Sequence, residues 1–230
     1  MISDAKLSEL VAAYPVRELI DPKTGEGSGR FLVFCRLHFP AFDKPKSFEK
    51  DGAAKYQGCF LIDPRTDITK LQNAAKVAAV AKFGAPRAKQ LAEAGSLKMP
   101  FRNQSLKKAA GEDGFGDAGV FFNASEGTTW PDGQPKEPPA IMSALAKRLP
   151  QDTKEVYAGC YGLVKVSFYG YSTKGNNGVA AALGGFQKLA DGERLRTTKN
   201  NSEDGFAPVA GADEFAASAS APKADAMADW

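Results

Sequence analysis

Alternation of apolar and polar positions is the main pattern in the first 200 residues. From Phe31 to Phe39 the odd-numbered positions are apolar, and from Cys160 to Tyr171 the even-numbered positions are apolar or glycine. A period of two places alternate side chains on opposite faces of a β-strand. Shorter apolar runs predict strands at residues 55–62 and 120–124, and a weaker one at residues 97–102. The pattern therefore predicts a mainly β protein.

A turn rich in glycine and asparagine follows the last of these strands, at Ser172 to Gly178. The apolar run after it, Val179 to Leu189, predicts a returning strand, so the two segments should form a long hairpin. Glycines at positions 170, 184 and 185 allow the bends and bulges that a small, sharply curved barrel requires.

Helical spacing of apolar residues is confined to three segments. Thr66 or Asp67 can cap the first helix, which should end before Gly84. Residues 87–94 predict a short second helix, and residues 140–149, which lie between two prolines, predict a third. All three should pack around the sheet as peripheral elements.

The last thirty residues differ in composition from the rest of the chain. Residues 201–230 are rich in Ala, Ser, Asp, Gly and Pro and show no periodicity, so we expect a disordered tail. This tail has six acidic residues and one basic residue, a charge of −5, which leaves +8 on residues 1–200 of a chain whose net charge is +3. No linker divides the remainder, which predicts one domain at residues 28–200 after an N-terminal arm at residues 1–27.

Composition also argues against several classes of protein. The chain has no run of eighteen apolar residues and no apolar core near its N terminus, so we expect a cytoplasmic protein without a membrane span. Its three cysteines are odd in number, far apart and in apolar stretches, which is typical of reduced, buried thiols. A single histidine and no zinc-like ligand spacing predict neither a metal nor a cofactor.

Aromatic and basic side chains occur together on several of the predicted strands. A sequence-tolerant binder of single-stranded nucleic acid needs cations for the phosphates and aromatic rings on which bases stack. A lone aromatic residue on a strand more often belongs to the core, and a lone lysine to a solvated edge, so the combination carries the prediction. The candidate DNA-binding residues are Phe34, Arg36, Lys55, Tyr56, Phe101, Arg102, Lys107, Lys108, Tyr161, Lys165, Tyr169 and Tyr171.

No catalytic motif is present, and we expect the protein not to be an enzyme. The glycine-rich segment from Gly25 to Gly29 lacks the Gly-Lys-Ser/Thr of a phosphate loop, and no nucleophile motif accompanies His38. Two alternatives stay open. One is a metal-dependent nuclease that uses the acidic loop with Glu112, Asp113 and Asp117, and the other is a protein-interaction barrel without significant affinity for DNA.

Several longer motifs resemble a family of bacteriophage single-stranded DNA-binding proteins over roughly residues 28–205. The strongest motif is the last hairpin, and shorter ones precede it along the chain. They are Lys55–Pro64, Pro100–Arg102, Phe122–Ser125, Asp132–Pro135, Glu155–Tyr171, Gly175–Leu183 and Phe186–Glu193.

The resemblance implies an oligonucleotide-binding (OB) fold, which is a Greek-key barrel of about five strands, here with one to three peripheral helices. It further implies sequence-independent binding of single-stranded DNA during phage replication, recombination or repair, in the cytoplasm of the host. In such proteins an acidic tail that ends in an aromatic residue contacts a polymerase, helicase or nuclease and competes with DNA. Asp225, Asp229 and Trp230 match that tail in kind. The oligomeric state stays open.

Overall fold

A closed barrel of five long strands forms the centre of the structure. The computed structural model describes residues 2–47, 52–173 and 175–195. In chain order, the strands of this part are β1 (Arg17–Ile20), β2 (Gly27–Lys46), β3 (Lys55–Ile62), β4 (Leu97–Lys98), β5 (Arg102–Asn103), β6 (Val120–Gly127), β7 (Ala140–Met142), β8 (Tyr161–Thr173) and β9 (Asn176–Ala190).

The strand pairing closes the sheet on itself. β2 pairs antiparallel with both β3 and β8, β3 with β6, and β8 with β9. A short parallel pairing between β6 and β9, at Ala124–Ala181 and Ser125–Ala182, completes the circle. Three consecutive antiparallel strands followed by a hairpin that joins both edges is the topology of the OB fold. The prediction of a mainly β OB barrel with peripheral helices is therefore confirmed.

Aromatic side chains on the inner faces of the strands fill the barrel. Phe60 of β3 contacts Phe122 of β6 and Phe186 of β9, with ring centroids 5.4 and 6.4 Å apart. All three side chains are buried, and burial of each stabilises the fold by about 1.5–3 kcal/mol. Because Phe60 and Phe122 point inward, their neighbours along β3 and β6 point to the outside of the barrel.

Four helices lie around the described part of the barrel. They are α1 (Asp4–Ala13), α2 (Thr69–Phe83), α3 (Ala85–Glu93) and α4 (Gln104–Ala109). The carboxylate of Asp67 accepts a hydrogen bond from the Thr69 N–H (2.9 Å) at the start of α2, and Gly84, with φ of 76°, ends it. The first two predicted helices correspond to α2 and α3. No helix in the described ranges is long and apolar enough to cross a lipid bilayer.

The predicted helix at residues 140–149 is wrong. Its first residues form β7, in which Ile141 pairs in parallel with Phe186 and is buried in the core. The chain then turns through Ala146, whose φ of 56° is incompatible with a right-handed helix. Tertiary pairing of Ile141 with β9 overrides the local helical spacing, and Leu145, an apolar position of that spacing, is left exposed.

The N-terminal segment, for which the sequence predicts only an arm, packs on the outside of the barrel. β1 extends the sheet by pairing with β2, Arg17 opposite Leu32. Arg65 connects α1 to the barrel, because its guanidinium lies 3.3 Å from Asp4 and 2.7 Å from Asp63. At the other end of the chain, the predicted tail at residues 201–230 lies outside the described residues.

Candidate nucleic-acid interface

A groove of about 620 Å³ runs over the outer faces of β3 and β6. Alternation along these strands supplies its floor, since Gln57 and Cys59 of β3 lie opposite Ser125 and Asn123 of β6. We call it the β3–β6 groove. The side chains that line it include Phe39, Lys46, Lys55, Gln57, Cys59, Arg102, Lys107, Glu112, Phe115, Phe121, Asn123 and Ser125.

Cationic side chains mark both ends of the β3–β6 groove. Lys46 and Lys55 pair across β2 and β3 at the end where Lys55 also pairs with Gly127 of β6. Arg102 pairs with Phe121 at the start of β6, six residues from Gly127. Six residues of extended strand span about 20 Å. The two ends therefore lie far enough apart to contact separate phosphates of one nucleic-acid strand.

The cations at the Arg102 end are held by neighbouring side chains. The Arg102 guanidinium lies 5.3 Å from the ring centroid of Phe121. Lys107 of α4 forms an ion pair with Glu112, with the Nζ and Oε1 atoms 2.6 Å apart. The charge of Lys107 is therefore partly balanced, whereas Arg102 presents its full charge at the surface.

Phe39 forms an aromatic wall of the β3–β6 groove with an unusual backbone. The register of β2 shifts between His38 and Ala41, and Phe39 within this bulge has φ of 47°. Such a conformation is uncommon for any residue other than glycine and is a genuine outlier for a bulky one. The bulge turns Phe39 toward solvent, where 36% of its surface is exposed.

The ring of Phe39 rests on the buried imidazole of His38. The two rings are nearly parallel, with centroids 3.8 Å apart. His38 Nδ1 accepts a hydrogen bond from the Phe39 N–H (3.0 Å), so Nε2 carries the proton and donates to the Asp113 carbonyl (3.1 Å). Burial lowers the pKa of His38, which keeps the ring neutral. The result is a fixed support beneath an exposed aromatic face.

The cysteine in the groove floor is a neutral, buried group. Burial raises the pKa of the Cys59 thiol to about 12, so it adds no negative charge beside the cations. Cys35 and Cys160 are likewise free and buried. These positions confirm the prediction that the three thiols are buried, where they act as small apolar side chains.

Three of the twelve predicted DNA-binding residues line the β3–β6 groove: Lys55, Arg102 and Lys107. One other cannot offer a ring to a base in this structure. Phe34 is 1% exposed, because Tyr14 and Tyr161 stack on its two sides at centroid distances of 6.2 and 6.1 Å. We therefore remove Phe34 from the set.

Phe101 packs against the core and does not line the β3–β6 groove. Its ring packs against Phe122 and Phe168 with centroids 5.8 and 5.6 Å apart. These contacts join the barrel interior to the side of the sheet that α2 covers. This packing stabilises the fold, but Phe101 is only partly buried, so its role as a platform for a base stays a prediction.

Arg36 and Lys108 are engaged by the protein itself. The Arg36 guanidinium donates to the carbonyls of Gly159 (3.3 Å) and Glu193 (3.1 Å), and lies 5.7 Å from the ring centroid of Tyr161. Lys108 forms an ion pair with Asp117. Arg36 thus attaches the chain after β9 to the barrel, and Tyr161 is half-buried beneath it.

The remaining four predicted residues lie outside the β3–β6 groove. Tyr56 alternates with the groove-lining positions of β3 and is half-buried. On the last hairpin, Lys165 lies against Gly184, and the Tyr171 hydroxyl against Gly178. Tyr169 is exposed on β8. The structure does not bring these four together with the groove cations.

The residues predicted from the sequence do not include several that line the groove, although the alternation along β6 indicates most of them. In Phe121-Phe122 two consecutive aromatics on one strand must face opposite sides, so one of them had to point outward. The alternation after it places Asn123 and Ser125 beside Phe121. Phe115 lies in a glycine-rich loop without periodicity, and nothing in its local pattern marks it.

The acidic loop does not form a metal site. Glu112 and Asp117 are paired with Lys107 and Lys108, and the Asp113 carbonyl accepts from His38. Within the described ranges no three His, Cys, Asp or Glu side chains are grouped so that they could hold a metal ion. Two of the three carboxylates that the nuclease alternative requires, those of Glu112 and Asp117, are therefore used for ion pairs.

Comparison of the sequence with models of known protein families identifies one matching family. The family model described as "Enterobacter phage Enc34, ssDNA-binding protein" matches residues 32–216. No curated protein matches the chain in a sequence comparison.

Solved structures share the fold at low sequence identity. The single-stranded DNA-binding protein from bacteriophage Enc34 in complex with ssDNA is 18% identical, with a TM-score of 0.57 over 74% of this chain and 90% of that chain. The same phage protein in a second structure is 18% identical, with a TM-score of 0.55 over 77% and 89%. The single-stranded DNA-binding protein gp2.5 of bacteriophage T7 is 16% identical, with a TM-score of 0.50 over 76% and 91%.

Proposed function

The chain belongs to the family of the Enterobacter phage Enc34 ssDNA-binding protein, and on this basis we propose that it binds single-stranded DNA in the β3–β6 groove. One observation carries the placement. Four cations, Lys46, Lys55, Arg102 and Lys107, line the same groove as the exposed ring of Phe39. Cations for phosphates and rings for bases are the two requirements for a sequence-tolerant single-strand site.

The strand would run along β6, from Arg102 at one end to Lys46 and Lys55 at the other. Its phosphates would contact these cations, and a base would stack on the exposed face of Phe39. Three of the floor residues, Gln57, Asn123 and Ser125, are polar. The amide of Gln57 donates to the Lys46 carbonyl (3.4 Å), and Asn123 is exposed. Every base has a π-face that can stack on Phe39, so we expect binding with little sequence preference.

The protein is not an enzyme, because its family consists of proteins that bind single-stranded DNA without catalysing a reaction. We propose that it coats and protects single strands during phage DNA replication, recombination or repair, in the host cytoplasm. The pairing of the loop carboxylates with Lys107 and Lys108 supports this function over the nuclease alternative.

Binding of a fluorescent oligo-dT across a salt series, with matched duplex as competitor, tests the proposal. We expect binding that duplex does not displace. The log of the affinity should fall with the log of the salt concentration with a slope of about −0.7 for each phosphate neutralised, or about −3 for four cations. If the protein does not bind oligo-dT at low salt even without residues 201–230, it is instead a protein-interaction barrel.

We also propose two functions for the tail, residues 201–230. Asp225, Asp229 and Trp230 would contact a replication protein such as a polymerase, helicase or nuclease, and the tail carboxylates would compete with DNA for the groove cations. The charge of −5 on residues 201–230 supports this competition.

Deletion of residues 201–230 should raise the affinity for oligo-dT several-fold at low salt, and the gain should disappear as salt screens the charges. A full-length variant with all six tail carboxylates changed to amides is the matched control and should behave like the deletion. Titration by fluorescence anisotropy at two salt concentrations measures both. An affinity that stays the same or falls in both variants would show that the tail does not compete with DNA.

A further inference from the structure

A small hairpin extends β6 beyond the barrel. Residues 128–136 are joined by hydrogen bonds from the Lys136 N–H to the Thr128 carbonyl (2.8 Å) and from the Trp130 N–H to the Gln134 carbonyl (2.7 Å). Gly133, with φ of 86°, makes its turn. These backbone contacts close the hairpin without a contribution from the indole ring of Trp130.

The hairpin begins at the lysine end of the β3–β6 groove. Gly127, the last residue of β6, pairs with Lys55, and Lys55 pairs with Lys46. Trp130 follows Gly127 by three residues, which is about 10 Å of extended chain. A strand that leaves the groove past these two lysines therefore comes within reach of the hairpin.

The indole of Trp130 is oriented but not buried. Lys136 Nζ lies 4.2 Å from the ring centroid, and Lys136 also forms an ion pair with Glu126. More than half of Trp130, 54%, is exposed to solvent. The ammonium group of Lys136 therefore holds the indole ring in place. Glu126 balances the charge of that ammonium group.

A second exposed ring lies in the electrostatic field of this pair. Tyr169 of β8 is 45% exposed. Burial of its hydroxyl and the negative charge of Glu126 raise the pKa of Tyr169, and the charge of Lys136 lowers it. Tyr169 is therefore close enough to Glu126 and Lys136 for their charges to act on its hydroxyl.

A purely structural role does not account for Trp130. The hairpin is closed by its backbone, and Lys136 already has Glu126 as a partner. A large apolar ring that is mostly exposed contributes little to the core. Exposed aromatic rings beside a cationic groove are, however, the platforms on which single-stranded nucleic acid stacks.

We propose that Trp130 stacks on a base of the strand that leaves the β3–β6 groove past Lys46 and Lys55, so that the binding site extends beyond the barrel. This proposal rests on the function proposed above. Lys136 acts as a positioning residue, because it holds the indole while Glu126 balances its charge. The partner of the platform is the same single strand that occupies the groove.

Tryptophan fluorescence tests the proposal directly, because the chain has two tryptophans. In full-length Trp230→Phe the only indole is that of Trp130. An oligo-dT of about 10 nucleotides should quench it, whereas one of about 4 nucleotides, enough for the groove alone, should not. Trp130→Ala should weaken the longer oligonucleotide about fivefold or more and leave the shorter one unchanged. Trp130→Phe, which keeps a ring, should recover most of the loss.

The outcomes separate this proposal from the proposed function. If the longer oligonucleotide binds without a change in Trp130 fluorescence, and Trp130→Ala binds it as tightly as before, the platform is not a DNA contact. An equal loss for both lengths in Trp130→Ala would also overturn the extension, since the residue would then act on the groove itself. If neither oligonucleotide binds to the unaltered protein, it is the function proposed for the groove that fails.

Discussion

Replacement of Lys55 and Arg102 by glutamate is expected to lower the affinity for oligo-dT by at least about a hundredfold at 0.1 M salt. Both side chains are exposed, one at each end of the β3–β6 groove. Among the described residues neither forms an ion pair, unlike Lys107. Their charge is therefore available to phosphate.

The size of this effect follows from Coulomb's law. At 4 Å in water two unit charges interact by about 1 kcal/mol, so reversal of one charge changes the interaction by about 2 kcal/mol, and two reversals by about 4 kcal/mol. Salt screening reduces this figure, and a hundredfold loss corresponds to about 2.7 kcal/mol. The slope of log affinity against log salt should also become shallower, by about 1.4 for two lost phosphate contacts.

Lys70→Glu combined with Lys76→Glu is the matched control. Both lysines are exposed on α2, outside the groove, and the substitutions change the net charge by the same amount. This control should lose only a few-fold in affinity, through the weaker long-range field of the protein. Equal losses in the two double variants would mean that net charge alone, and not the groove, determines binding.

Most of the barrel could be predicted from local patterns. The alternation at residues 31–39 and 160–171 identifies β2 and β8, and the turn at residues 172–178 identifies the hairpin to β9. Closure of the barrel could not be predicted in this way. It depends on parallel pairing of Ala124 with Ala181, and no local pattern specifies which distant strand edges meet.

The candidate site was predicted less completely, because exposure depends on contacts between distant segments. Phe34 lies on the outer face of β2, as the alternation implies, yet Tyr14 at the end of α1 covers it. Phe39 shows the opposite error. Strict alternation assigns it to the inner face with Leu37, but the bulge after His38 turns it outward. A one-residue irregularity reverses the face of a side chain, and sequence period alone does not reveal it.

Phe39→Ala and Phe39→Gly are each expected to lower the affinity for oligo-dT about tenfold to a hundredfold. A stacked base contributes about 1–3 kcal/mol, and the fixed support of His38 beneath the ring favours the upper part of that range. Phe39→Tyr keeps the ring and should bind nearly as well as the unaltered protein. Fluorescence anisotropy with the same oligonucleotide measures all three variants.

The two small substitutions should differ in stability although they bind alike. At φ of 47° an alanine retains the unfavourable contact between Cβ and the backbone, which costs roughly 1–2 kcal/mol, whereas glycine has none. Urea unfolding should therefore give Phe39→Gly the higher free energy of unfolding, by about 1 kcal/mol. This comparison separates the role of the ring from that of the backbone. If both variants bound oligo-dT normally and differed only in stability, Phe39 would be a structural part of the bulge, and the strained conformation would have no function in binding.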